Sequence, residues 1–239
     1  MSGTLSVPTT LSIIVPLAPG EAEWQGLLVQ LRAELPAGSE VLLVATGEPA
    51  SPPPGWPERI ALRCLSGASG RGPQLNAGAR LATGTWLWFL HADSRLEPGT
   101  IAALLAFIAR DEDALGWFDL AFRPGGPAPM RLNAWGANMR SAWLGMPFGD
   151  QGFVLPSRVF ASLGGFDEHA PYGEDHLLAW TARRSGIPLR RVGARLLTSA
   201  RTYERAGWAA TTLRHVRLTA IQAWPEWRRL RGLAKGINQ

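Results

Sequence analysis

Five short stretches gather the side chains that could do chemistry. His91-Ala92-Asp93 sets an imidazole and a carboxylate two positions apart. At the end of a strand, alternate side chains point the same way, so both can reach one ligand. This pair suits Mn²⁺ or Mg²⁺ completed by substrate phosphates, or else a plain hydrogen-bonded strand terminus. Gly70–Gly78 (GRGPQLNAG) places Arg71 among glycines ahead of a helix. There a guanidinium can pair with phosphate while backbone amides approach closely, with Gln74 and Asn76 adding neutral hydrogen bonds. A solvated turn is the plainer alternative. Tyr172-Gly173-Glu174-Asp175 puts two carboxylates at a helix start. They suit acid–base work in a partly desolvated cleft, or simple complementarity to the helix dipole. Phe148–Gly152 (FGDQG) holds Asp150 and Gln151 between glycines, as a binding loop or an ordinary turn. Ser199–Arg205 (SARTYER) offers cations to a phosphate, or a surface ion-pair cluster.

Composition removes several alternatives. The 239 residues are 46% apolar and 18% charged, a globular balance. The cations are one lysine, Lys235, and otherwise arginines, so no Gly-Lys-Ser/Thr phosphate loop exists and Schiff-base chemistry has no suitable lysine. Cys64 is the single cysteine, which excludes an internal disulfide and a cysteine-rich zinc site. The run Ile101–Ala109 is too short to cross a bilayer, which takes about 20 residues, and the first ten residues lack the basic and apolar regions of a secretory signal. A cytoplasmic location is expected. The net charge of +5 is concentrated at one end, where residues 201–239 carry eight cations against Glu204 and Glu226. That segment attracts phosphate groups, or forms a solvated helix face. Trp224, Trp227, Arg228, Arg229, Arg231 and Lys235 could lie peripherally on an anionic membrane surface, at the inner membrane face in a cytoplasmic setting.

The elements that must position these groups alternate along the chain. Strands are expected at Leu11–Leu17, Glu40–Ala45, Ile60–Leu65 and Trp86–Leu90, the last running into His91. Between them, Glu21–Leu35 carries Trp24, Leu27, Leu28 and Leu31 at helical spacing, and a helix is expected near Gln74–Ala82. Continuous apolar strands alternating with helices predict an α/β fold with a mostly parallel central sheet covered on both faces, and ligands beyond the carboxyl ends of the strands. Further on, helices are expected at Pro98–Arg110, Met130–Leu144, Pro156–Leu163, Glu174–Ser185 and Gly207–Ala223. Strands are expected at Gly116–Phe122, Gly152–Leu155, Leu189–Val192 and Arg195–Ser199. Met130–Leu144 is a candidate for partner or acceptor contacts. No linker divides the chain, so one domain over 1–239 is expected, with a basic helical segment at about 207–239.

Taken in order, these motifs resemble the family-2 glycosyltransferases of GT-A (Rossmann-like) fold. The resemblance runs from about Leu11 to Leu218 and rests on SIIVP, N-A-G-x-x-x-A-x-G-x-W-x-x-F-L-H-A-D, G-G-F-D and G-E-D. With G-D-Q-G and S-A-R-x-x-E-R it is similar to a small bacterial subgroup. The resemblance implies a metal-dependent inverting transfer from a nucleotide-sugar, a UDP-sugar by family habit, to an acceptor hydroxyl that is lipid-linked in many relatives; nucleic acid is not an expected partner. It implies Asp175 as general base with Glu174 beside it. It also implies Asp93, with His91, at a Mn²⁺ or Mg²⁺, and Pro16, Thr46, Arg71, Gln74, Asn76, His91 and Asp93 lining the donor site. Asp150 and Gln151 fall to the acceptor. Two positions depart from the family pattern: His91 replaces the first carboxylate of Asp-x-Asp, and Ala45 stands where an acidic residue usually follows the second strand. A nucleotidyltransferase is a rival, weakened because Leu17–Gly20 holds no cation; a non-catalytic sugar-nucleotide-binding protein is another.

Overall fold

Runs such as SIIVPL and EVLLVAT contain no polar face, so as strands they must be covered on both sides. The computed structural model describes residues 10–48, 51–67 and 69–236, with side chains to 232. It satisfies that demand with one eight-stranded sheet in the order β3-β2-β1-β4-β7-β6-β8-β5. The strands are β1 (Leu11–Leu17), β2 (Glu40–Thr46), β3 (Ala61–Gly67), β4 (Trp86–Phe89), β5 (Arg95–Leu96), β6 (Leu115–Phe122), β7 (Phe153–Pro156) and β8 (Leu189–Thr198). The helices are α1 (Trp24–Glu34), α2 (Arg71–Leu81), α3 (Thr100–Ile108), α4 (Met130–Leu144), α5 (Ser157–Ser162), α6 (Glu174–Arg184), α7 (Arg201–Ala206) and α8 (Trp208–Gly236).

Apolar side chains on one sheet face pack with Leu27, Leu28 and Leu31 of α1 and Leu104 and Phe107 of α3. The other face packs with Leu75 of α2, Phe160 of α5 and Leu178 of α6. β1, β2, β3 and β4 run parallel, and the chain reverses its direction of travel across the sheet at β1, which takes β2 on one side and β4 on the other. In a parallel sheet such a reversal opens a crevice beyond the strand ends. β7 then pairs antiparallel with β4, Phe89 opposite Phe153, which carries the residues just before β7 to the end of β4.

Several elements differ from expectation, most by one to three residues at an end and some by more. α2 begins at Arg71 rather than near Gln74, because Pro73 falls in the first turn, where a missing N–H costs nothing. The two late strands are one, β8, bent at Gly193 (φ +90°) with a register shift against β6. α8 passes through Pro225 to Gly236 instead of stopping near Ala223. β5 and α7 were not anticipated; β5 is only two residues long and exists through pairing with β8. The expected basic helical segment maps onto α8, with residues 237–239 and the N-terminal stretch outside the described residues.

Candidate active site

Arg71 stands in the first turn of α2, held there by Gly70 at φ +111°. Its guanidinium reaches three side chains: Nε donates to Glu174, Nη2 lies 3.1 Å from Asp175 Oδ2, and Nη1 lies 3.1 Å from His91 Nε2. Glu174 and Asp175 open α6 and are only 6% and 4% exposed. Asp175 also accepts from the Gly149 amide (2.6 Å, Oδ2) and its neighbour's amide at His176 (2.7 Å, Oδ1). Side chains separated by more than eighty residues of sequence thus meet at one point beyond β4.

The approach leaves no room at Gly149. A methyl there would sit 2.6 Å from Asp175 Oδ2 and 3.1 Å from His91 Nε2. Beneath lies a cavity of about 10 Å³, lined by Arg71, Leu75, His91, Gly149 and Asp175 among others, with room for about one water. A larger hollow of about 370 Å³ opens by Glu97, Asp119 and Arg195 and touches none of the predicted site residues.

Charge balances the burial. Desolvation alone would raise the Asp175 carboxyl; Arg71 and the amides of Gly149 and His176 outweigh it and hold it below the usual range. The His91 imidazole is lowered to about 4, first by burial and then by Arg71, so it is neutral. Asp150 goes the other way. It sits in a single 3-10 turn (Gly149–Gln151), its Oδ1 buried without a partner, and burial pushes its carboxyl up to about 6 against the pull of Arg140. Asp175 and Asp93 add to that upward push, so three carboxylates share one field.

Asp150 therefore gives a stability test. Its folded state binds a proton more tightly than the unfolded chain, so ionisation destabilises the fold as pH rises from about 4 to about 6, with no further loss above. Asp150→Asn is expected to remove this slope and to melt higher than the wild type at neutral pH, by on the order of 2–3 kcal/mol. Urea melts across that window check it; a steeper slope in the variant would contradict the assignment.

Asp93 lies on the turn after β4 with its side chain 19% exposed, and Arg201 of α7 stands 3.8 Å from its Oδ2. Arg201 also holds Glu21 at 3.0 Å, so the SARTYER segment supplies both a cation to the cleft and an ion pair. Thr46 is half-buried at the end of β2.

Other predicted site residues are spent inside the protein. Gln74, 4% exposed, donates to the carbonyls of Leu17 and Val44 and ties β1 to β2. Asn76, 8% exposed, bonds the Phe166 carbonyl and amide and braces the G-G-F-D loop. Pro16 is buried within β1. Gln151 is fully buried, bonding Ser141 (2.6 Å), the Phe148 amide and the Phe118 carbonyl. The amides of Gln74, Asn76 and Gln151 thus brace the fold through these bonds, and Pro16 does so by packing within the sheet.

A divalent cation is implied by the resemblance, and the residues fit it in part. Among the described residues no three His, Cys, Asp or Glu side chains form a cage. Asp93 offers a partly open carboxylate, whereas His91 Nε2 faces Arg71. The donor set suits a cation held by Asp93 and chiefly by ligand oxygens, not one gripped jointly with His91 while Arg71 stays in place.

Sequence reading missed Arg140 and His176. Arg140, on α4, lies over the Phe148 ring at 4.1 Å, and Asp150 lies within its field. His176 accepts from Trp180 (2.9 Å) and packs on Phe148 at 4.6 Å between ring centres, and burial first of all lowers it to about 4. Only the adjacency of His176 to Asp175 hinted at either.

Residues 50–162 match the family model described as Glycosyl transferase family 2. No curated protein matches the chain. The fold is that of GT-A glycosyltransferases. It is similar to S. aureus TarS 1-349 (17% identity, TM-score 0.61, 80% of this chain and 60% of that one). It is also similar to the mannosyltransferase PcManGT from Pyrobaculum calidifontis, solved with GDP-Man and Mn²⁺ (19% identity, TM-score 0.57, 77% and 56%). A TarS 1-349 structure in complex with UDP-GlcNAc is similar at TM-score 0.57, with 16% identity over 80% of this chain and 58% of that one. The chain thus spans about three fifths of the length of these structures.

Proposed function

We propose that this chain works as a family 2 glycosyltransferase of GT-A fold, moving a sugar from a nucleotide-sugar to an acceptor hydroxyl with inversion. The observation that carries this reading is the three-way grip of Arg71 on Glu174, Asp175 and His91 beyond the end of β4. A guanidinium fork matches phosphate as well as it matches carboxylate. When a diphosphate enters, its oxygens compete for Arg71. Asp175 then loses its main counter-charge while its burial is unchanged, so its basicity rises, and it takes the proton from the attacking hydroxyl. Glu174 keeps the guanidinium in the cleft. Asp150 and Arg140 face the acceptor side, and Arg201 adds positive charge beside Asp93.

Mn²⁺ or Mg²⁺ held by Asp93 and donor phosphate oxygens would offset charge developing on the leaving diphosphate. With Ala45 in place of a carboxylate, base and ribose recognition falls to Thr46 and backbone groups. UDP-sugars are the first donors to try, and GDP-sugars the second, given the ligands of the two similar proteins.

The test is a product assay with UDP- and GDP-sugars and Mn²⁺. Nucleoside diphosphate released together with sugar transfer or hydrolysis is expected. Pyrophosphate release would indicate a nucleotidyltransferase. Binding without any turnover would indicate a non-catalytic protein.

A further inference from the structure

α8 is built inside out. A surface helix normally turns its apolar stripe toward the core, yet the two most buried side chains described in α8 are polar. Thr211 and Glu226 are 4% and 3% exposed. Gln222 donates to the carbonyls of Tyr172 (3.0 Å) and Gly173 (3.2 Å). Its apolar residues Leu213, Val216, Trp224 and Trp227 follow i, i+3, i+11, i+14, one stripe, and Leu213, Val216 and Trp224 are 71%, 60% and 61% exposed. α4 repeats the inversion: Leu132, Trp135 and Trp143 are 58%, 60% and 78% exposed, while Asn138 and Ser141 bond inward to Leu120 and Gln151. Asn133 of α4 bonds Thr212 (3.0 Å) and Trp208 (2.8 Å), so the two helices adjoin.

The charge pattern says what covers this surface. Arg214, Arg217, Arg228 and Arg231 make no ion pair among the described residues. The sole acid of α8, Glu226, is consumed by Arg184 and Arg229. A second copy across a two-fold axis would set these arginines against themselves. An anionic bilayer surface would neutralise them and take the apolar stripe at headgroup depth, where paired indoles such as Trp224 and Trp227, 5.5 Å apart, are favoured. No helix among the described residues is long and apolar enough to cross a membrane.

We propose that α8, with the adjoining α4, is an interfacial platform that lays this protein on an anionic lipid surface. Its inward polar face meanwhile grips the loop and helix that carry Asp175. The proposal stands independently of the donor chemistry. It also deepens the reading of the acceptor, because a hydroxyl on a lipid-linked molecule would be presented at the surface that α8 occupies.

The test is sedimentation of the full chain with phosphatidylcholine vesicles and with vesicles enriched in phosphatidylglycerol. Binding to the anionic vesicles only, weakened by salt, is expected. Arg228→Gln and Arg231→Gln should each weaken it about fivefold. Leu213→Ser combined with Trp224→Ser should reduce it at least tenfold, with melting temperature unchanged because both side chains are exposed. Equal binding by that double variant, no binding to either vesicle, or a dimer that the double variant dissolves would overturn the proposal. Nucleoside diphosphate binding by the same variants, read as a thermal shift, is expected to persist, which separates failure here from failure of the donor reading.

Discussion

Asp175→Asn is expected to lower the turnover of sugar transfer 10²–10⁴-fold, the usual contribution of a positioned general base. The amide is nearly the same size, but it cannot take a proton from the acceptor. It also disturbs a site built for two acceptor oxygens: Oδ2 serves Gly149 and Arg71, and Oδ1 serves the His176 amide. One end of an asparagine must present N–H groups to a donor, at a cost of about 1–3 kcal/mol. Nucleoside diphosphate binding should survive, since Arg71 and Asp93 remain. Initial rates alongside thermal shifts with UDP and GDP make the comparison. Wild-type turnover in the variant would remove Asp175 from the mechanism.

The second large effect is expected at Arg71→Met, which should weaken donor binding and destabilise the fold together. Methionine keeps the stem but leaves Glu174 and Asp175 buried without a counter-charge. Breaking a buried ion pair costs about 3–5 kcal/mol. The Arg71 side chain is 38% exposed, so water screens part of this and about 2 kcal/mol is the fair expectation. The deficit has a pH signature. Without the guanidinium, burial is left to raise the Asp175 carboxyl, so this group binds its proton more tightly folded than unfolded and the variant loses stability as pH rises through about 4, recovering on acidification. The wild type does the opposite at Asp175, whose lowered carboxyl contributes stability that fades as pH falls. Urea melts of both proteins at neutral and mildly acid pH measure the gap. Adding Glu174→Gln should restore part of the stability and none of the turnover. A gap that stayed constant with pH would mean that packing, not charge, dominates at Arg71.

The legible part of this protein is the part written in short-range pattern. Leu11–Leu17 and Met130–Leu144 appear with the bounds their composition suggests, because an unbroken apolar run or a helical composition constrains backbone locally. Arg71, His91, Asp93 and Asp175 stand out through the order and spacing of their motifs along the chain, each motif alone having a plainer reading. The polar residues next to them could not be sorted in the same way. Gln74, Asn76 and Gln151 have the same chemistry as binding residues. Whether an amide faces a ligand or a carbonyl depends on partners such as Leu17, Phe166 and Ser141, which lie up to 90 positions away.

The amino-acid order by itself therefore determined an alternating α/β chain, an excess of positive charge at one end, and a short set of candidate acids and cations. Local periodicity and residue type are properties of neighbouring positions. Only the tertiary structure decided that Arg71 bridges Glu174, Asp175 and His91, because that requires the antiparallel return of β7 against β4 and the docking of α6 beside it. Only the tertiary structure, too, turned the apolar stripe of α8 outward. A helix pattern specifies that two faces differ, but which face meets the protein is set by what the neighbouring helix and loop offer it, here the carbonyls of Tyr172 and Gly173 and the guanidinium of Arg184.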